Sequence, residues 1–237
     1  TDLEEVIQDA DLIVLCTPVE HMRPLLEPVL GRLKPGVIVT DVGSVKAVVV
    51  RDLEPLVARA GGCFIGSHPM AGGERVGVNC AREELFARAV CALTPTMDSP
   101  AEAVGLLTEF WEAIGMRVLQ LSPETHDELV ARSSHLPHLL ATTLAGYVLD
   151  PKFPAAQRDL CAGGFRDTTR IASGPVAMWR GIIAANRENL AKDIAALEQR
   201  LAEMRGALER NDVAAIEAAL REAHDRREKW LVGQRDA

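Results

Sequence analysis

The chain has 237 residues, of which 48% are hydrophobic and 25% charged, with a net charge of −8. That balance belongs to a globular protein with one large core or two modest ones. Acidic and basic residues are interspersed with no basic stripe, which argues against a nucleic-acid partner, and no run approaches the roughly 20 unbroken apolar residues of a membrane span.

In chain order, the first half alternates short apolar runs with stretches of helical spacing. The runs are Leu12-Ile13-Val14-Leu15-Cys16, Val37-Ile38-Val39-Thr40, Cys63-Phe64-Ile65-Gly66, Val90-Cys91-Ala92-Leu93 and Val118-Leu119-Gln120-Leu121. They are short, often β-branched and closed by Pro, Gly or Ser, as buried strands of a mainly parallel sheet are. Residues 20–33, 45–60 and 100–114 carry helical spacing between them. Alternating β and α elements imply an α/β sheet with helices on its faces. After about residue 122 the strand signals stop. Residues 125–149 read as one long helix, and residues 172–208 repeat Trp179, Ile182, Ile183, Asn186, Leu190, Ile194, Leu197, Leu201, Met204 and Leu208 at helical steps. An Asn211-Asp212 turn precedes a last helix carrying Val213, Ile216, Leu220 and Trp230. The stripe is either buried by its own chain or shared with a second copy, and the helix length favours a homodimer through the helical region. The expected fold is thus a partial Rossmann-like parallel sheet in residues 1–122, followed by an all-α domain in residues 123–237.

Five cysteines (Cys16, Cys63, Cys80, Cys91, Cys161) lie far apart with no CxxC pair. Neither a disulfide scaffold nor a zinc site is expected, and a reducing cytoplasm is the expected location. The strand ending in Cys16-Thr17-Pro18 resembles a later part of a dinucleotide-binding unit, yet no GxGxxG occurs anywhere in the sequence. The glycine turn that cradles a pyrophosphate is therefore expected upstream of Thr1.

Four segments carry chemistry. Asp41-Val42-Gly43-Ser44-Val45-Lys46 closes a predicted strand, where ligands collect in open α/β sheets; Ser44 there is either a helix cap or a ligand contact. Gly66-Ser67-His68-Pro69-Met70-Ala71-Gly72-Gly73-Glu74 places a histidine, a candidate general base, at a sheet edge, with Glu74 able to orient it. His126-Asp127 and Ser133-Ser134-His135-Leu136-Pro137-His138 lie on one predicted helix that Pro137 should kink. The HxxH spacing there lacks the glutamate of zinc-protease helices, so no metal is expected. In Gly163-Gly164-Phe165-Arg166-Asp167-Thr168-Thr169-Arg170 an arginine beside a carboxylate is either a fork for a substrate carboxylate or a surface ion pair.

In order and spacing these words, with Leu93-Thr94-Pro95-Thr96 and Trp179, resemble the prephenate dehydrogenase family from residue 1 to the last helix. The resemblance implies oxidative decarboxylation of prephenate to 4-hydroxyphenylpyruvate, in tyrosine biosynthesis, with NAD or NADP (NAD favoured). It implies a Rossmann domain joined to a helical dimerisation domain. Carried over, His68 is the catalytic histidine and Ser44 the serine that hydrogen-bonds it near the cofactor. His138, Ser134, Arg170, Glu74, Asp167 and Trp179 form the substrate pocket, with Arg170 on a substrate carboxylate. Thr17, Pro18, Gly43 and Ser44 fall to the cofactor side. Many relatives have threonine where this chain has Gly73, so a hydroxyl is missing there. Some arogenate-specific relatives lack a histidine at the position of His138, and its presence favours prephenate. The alternatives are an arogenate dehydrogenase and a non-catalytic dimeric remnant that binds an aromatic ligand.

Overall fold

A computed structural model of the chain describes residues 3–72, 79 and 81–235. They fall into two compact units, Thr1–Leu190 and Ala191–Ala237.

In the first unit, a short helix α1 (Leu3–Ile7) leads into β1 (Leu12–Leu15), α2 (Val19–Leu26) with a 3-10 turn over Glu27–Arg32, β2 (Ile38–Asp41) and α3 (Ala47–Arg59). The strands β3 (Cys63–Phe64) and β4 (Gly66–Pro69) follow, then β5 (Val90–Thr94), α4 (Ala101–Ala113) and β6 (Arg117–Gln120). Strands β1, β2 and β3 pair in parallel, in that order. Strand β5 pairs antiparallel with β4 and parallel with β6. Only Ile65 separates β3 from β4, and its N–H donates to the Val39 carbonyl at 3.0 Å. One extended run, residues 63–69, therefore borders β2 with its first half and β5 with its second. The sheet is parallel except at the β4–β5 pairing, which periodicity along a single strand cannot reveal.

The core explains the near-continuous apolar runs. Val39 and Phe64 pack with Met22, Val49, Leu53 and Val57 of α2 and α3 on one face, and Ile182 of a later helix joins them. Ile38, Ile65 and Leu93 pack with Ala103 and Leu107 of α4 on the other. Strands covered on both faces have no polar side to show.

The helical segment begins with α5 (Pro123–Val130), capped by Ser122 Oγ, which accepts from the Thr125 N–H. It continues through a π-helical turn over Ala131–His135 into α6 (Leu136–Val148). Pro137 has no N–H for the Ser133 carbonyl, and Ser133 Oγ bonds back to the Leu129 carbonyl at 3.0 Å, so the ladder is interrupted where the kink is expected. Two short helices, α7 (Ala156–Asp159) and α8 (Gly163–Thr169), and a 3-10 turn over Arg170–Ser173 precede α9 (Val176–Ala185). Residues 172–208 are thus not one helix. Gly174-Pro175 starts α9, Asn186 ends it with non-helical φ −110° and ψ 23°, and α10 (Arg187–Glu209) begins after it.

The second unit holds the rest of α10 and α11 (Val213–Arg235). Asn211 takes a left-handed φ of 53°, and Asp212 caps α11 by accepting from the Ala215 N–H at 3.1 Å. Leu201, Leu208, Leu220 and Trp230 are all exposed on these helices. No helix among the described residues is long and apolar enough to cross a membrane.

Candidate active site

The carboxyl ends of β1 and β2 open into a cavity of about 430 Å³, lined mainly by apolar groups. Thr17 and Pro18 come from the end of β1, Gly43 and Ser44 from the end of β2, and Pro175, Met178 and Ile182 from α9 and its approach. The four residues assigned to the cofactor side on resemblance therefore share one hollow. Gly43 is needed there: a Cβ would sit 2.8 Å from Asp41 Oδ2 and 3.2 Å from Met22 and Val19. Thr17 Oγ1 is buried in this region without a hydrogen-bond partner.

Behind the cavity, Asp41 organises the strand ends. It is fully buried and accepts from the Gly43 N–H at 2.8 Å, from the Ser67 N–H at 3.2 Å and from the Lys46 ammonium. Lys46 is itself fully buried, and burial pushes its ammonium below the usual lysine range against the pull of Asp41. Ser67 Oγ lies 2.7 Å from Thr40 Oγ1 and accepts from Trp111 Nε1 at 3.0 Å, which ties β4 to β2 and α4. This polar frame fixes the strand that carries the next residue, His68.

His68 is 7% exposed, and its Nδ1 lies 2.9 Å from Nε2 of His126 on α5. His126 Nδ1 lies 2.8 Å from Asp127 Oδ1. Asp127 in turn accepts from the backbone N–H groups of Lys46 (2.7 Å) and Ala47 (3.0 Å) at the start of α3. Burial, then the Lys46 charge, then His126 and His135 hold His68 well below the ordinary histidine range, so its ring is neutral near pH 7. A neutral imidazole is what a general base requires.

The π turn aims a second set of rings inward. His135 is fully buried, with Nδ1 3.1 Å from the Asn186 side-chain amide, and burial pushes it down to about 4. The Ser44 carbonyl lies close enough to oppose that shift, yet His135 Nε2 forms no hydrogen bond of normal geometry. His138 stacks on Trp179, with ring centroids 3.5 Å apart and planes within 10°. Gly174 permits this, because a Cβ there would lie 2.6 Å from Trp179 Nε1 and 3.3 Å from His138. Ser134 is half-buried in the π turn. Asp167 on α8 and Arg170 in the turn after it are exposed, and both segments pack against α6, which carries His138. Glu74 and Gly73 lie outside the described residues.

Two expectations are refined. Among the described residues the ring partner of His68 is His126, at Nδ1, and no hydrogen bond joins Ser44 to His68. Asn186 is not part of an apolar stripe. It is a buried polar junction whose amide donates to the Asp127 carbonyl at 2.8 Å and meets His135. His135 meets Asn186 and the same Trp179 on which His138 stacks, with His135–Trp179 ring centroids 6.1 Å apart. His126 and Asp127 are the residues whose part in the site was missed. Their adjacency was visible, but their partners lie 58 and 81 positions away in the sequence.

Two family models cover nearly the whole chain: prephenate dehydrogenase, nucleotide-binding domain, over residues 1–120, and prephenate dehydrogenase, dimerization domain, over residues 122–222. A cyclohexadienyl dehydrogenase from Zymomonas mobilis is 36% identical over 78% of this chain and 63% of its own length. A prephenate dehydrogenase from Bacillus subtilis is 32% identical over 98% of this chain and 62% of its own. The chain thus spans a little under two thirds of these relatives. A crystal structure of prephenate dehydrogenase from A. aeolicus, in complex with hydroxyphenyl propionate and NAD+, superposes with a TM-score of 0.88 at 32% identity, covering 97% of this chain and 80% of that one. Synechocystis arogenate dehydrogenase gives a TM-score of 0.82 at 31% identity, covering 97% and 82%. With the two models matching residues 1–120 and 122–222, over this sheet and these helices, the chain belongs to the prephenate dehydrogenase family.

Proposed function

We propose that this chain carries the substrate side and the nicotinamide end of an NAD(P)-dependent dehydrogenase that converts prephenate to 4-hydroxyphenylpyruvate for tyrosine biosynthesis. The observation that carries the reading is His68, a buried, neutral imidazole on β4 with one ring nitrogen already engaged by His126. In this reading His68 takes the proton of the substrate's ring hydroxyl. The bound nicotinamide supplies the hydride acceptor. Loss of carbon dioxide then aromatises the ring, which makes the step effectively irreversible.

The cavity at the ends of β1 and β2 fits a nicotinamide ring. Its walls are apolar, the Gly43 backbone approaches closely, and Thr17 Oγ1 is a partnerless hydroxyl available to an amide. The A. aeolicus complex with NAD+ supports the same assignment, with NAD or NADP as the cofactor. His138 stacked on Trp179 supplies an aromatic wall for a six-membered ring, and in this reading Arg170 holds a substrate carboxylate, with Ser134 and Asp167 as supporting residues of the pocket. A division near residue 122 into nucleotide-binding and substrate-binding parts agrees with the limits of the two family models. A homodimer through the helices is supported by the dimerization-domain match and by the apolar side chains left exposed on α10 and α11. The unpaired Cys16, Cys63, Cys91 and Cys161 support a reducing cytoplasm.

Arogenate is the second candidate substrate, favoured by the Synechocystis neighbour. Steady-state formation of reduced nicotinamide, by the purified full-length protein with each substrate and each cofactor, tests the proposal. Turnover of prephenate above arogenate is expected. Turnover of arogenate alone would reassign the substrate, and turnover of neither would overturn the dehydrogenase reading.

A further inference from the structure

The hydrogen-bond chain behind His68 has a direction. Asp127 accepts from two backbone N–H groups, which can only donate, so its oxygens present His126 with an acceptor. His126 must therefore carry its hydrogen on Nδ1, where it donates to Asp127 Oδ1 at 2.8 Å. That leaves His126 Nε2 as a lone pair, 2.9 Å from His68 Nδ1. The only bonded arrangement of a neutral pair puts the hydrogen of His68 on Nδ1 and its lone pair on Nε2.

We infer that His126 and Asp127 are positioning residues that lock His68 in its Nδ1–H tautomer, so that Nε2 is the nitrogen able to take a proton. The inference rests on the reading of His68 as the base, and it extends that reading to two residues that do not themselves meet the substrate. The anchor is rigid for a structural reason. The same Asp127 carboxylate caps α3 from a different helix, and its own backbone carbonyl is held by the Asn186 amide at 2.8 Å. His126 and Asp127 are 1% and 3% exposed, so water does not compete for these bonds. A free histidine side chain prefers the opposite tautomer, with hydrogen on Nε2. Without the chain, much of the His68 population would thus carry its hydrogen on the nitrogen that has to accept one. A carboxylate that orients a catalytic imidazole through one hydrogen bond is a known device in serine hydrolases. Here a second imidazole lies between the two.

The test reads the tautomer directly. Long-range proton–nitrogen correlation spectra of the 15N-labelled chain, with His68 assigned by its absence in His68→Asn, should show protonated Nδ1 and bare Nε2 in the wild type. A wild-type His68 protonated on Nε2 overturns the proposal without any variant. His126→Phe offers no acceptor and should shift His68 toward the Nε2–H form. His126→Gln places a carbonyl within reach of Nδ1 and should restore the wild-type pattern. In the full-length protein, His126→Phe should lower kcat by on the order of 10²-fold, within the range a general base contributes, with a smaller change in KM, and His126→Gln should recover most of it. A His68 spectrum unchanged in His126→Phe, or a His126→Gln variant as slow as His126→Phe, would overturn the positioning role. Failure of His68 itself as the base shows separately, as turnover that survives His68→Asn.

Discussion

Asp127 offers the sharpest stability prediction, because its carboxylate joins two helices that are far apart in sequence. Helix α3 has no acidic residue in its own first turn and no side-chain cap from Lys46 at its start. The carboxylate that accepts its first N–H groups comes from α5, at 2.7 and 3.0 Å. Asp127→Ala strands both donors beside a helix N-terminus and removes the partner of His126 as well. Hydrogen bonds to charged groups contribute roughly 1.5–3 kcal/mol each, so losing the two backbone bonds costs about 3–6 kcal/mol. At 2–4 °C per kcal/mol for a chain of this size, the melting temperature should fall by roughly 6–24 °C. Asp127→Asn keeps one carbonyl oxygen and should cost about half as much. Urea unfolding followed by far-ultraviolet circular dichroism, compared at equal m-value, measures the loss. A loss below about 1 kcal/mol in Asp127→Ala would show that the carboxylate does not hold α3, and would refute the reasoning.

Two further outcomes follow from the rings around it. His135 is held neutral in the fold at about 4 and titrates near 6.5 when unfolded, so its contribution is complete above about pH 6.5 and is lost as the pH falls toward 4; a difference of about 2.5 units corresponds to about 3 kcal/mol. His68, also held low, adds to the same slope, so unfolding free energy should fall steadily from pH 7 to pH 5, and His135→Gln should flatten the curve; an equally steep curve in that variant would remove His135 as its source. Gly174→Ala places a methyl group 2.6 Å from Trp179 Nε1, so it should break the Trp179–His138 stack, change tryptophan fluorescence and raise KM for substrate more than it lowers kcat; an unchanged KM would exclude that stack from the substrate pocket.

Much of this fold was legible in the sequence. Four of the five apolar runs became strands within a residue, because strand-forming runs are a local signal, whereas the run at Cys63 became β3, and β4 continues to Pro69 through a Gly-Ser-His-Pro segment that carries no apolar signal. The break in the α-helical ladder just before Pro137 was legible for a local reason, since a missing N–H needs no tertiary context. What periodicity missed was set by distant contacts. The antiparallel pairing of β4 with β5 is a property of the sheet. Asn186 sits at a helical step, as an apolar residue would, and only its bonds to Asp127 and His135 show it to be a junction. The site divides in the same way. Thr17, Pro18, Gly43 and Ser44, assigned to the cofactor side on resemblance, share one hollow because they close adjacent parallel strands, whereas the link from His68 to His126 and Asp127 spans 58 positions and leaves no local signal.

The claim at the centre of this account is that His68 is the base. Replacing it by Asn in the full-length protein, with prephenate and NAD+ saturating, measures that claim directly. A fall in kcat on the order of 10²–10⁴ is expected, with unfolding free energy and substrate KM little changed. A kcat within about threefold of wild type would contradict it, because a lost general base cannot be that cheap.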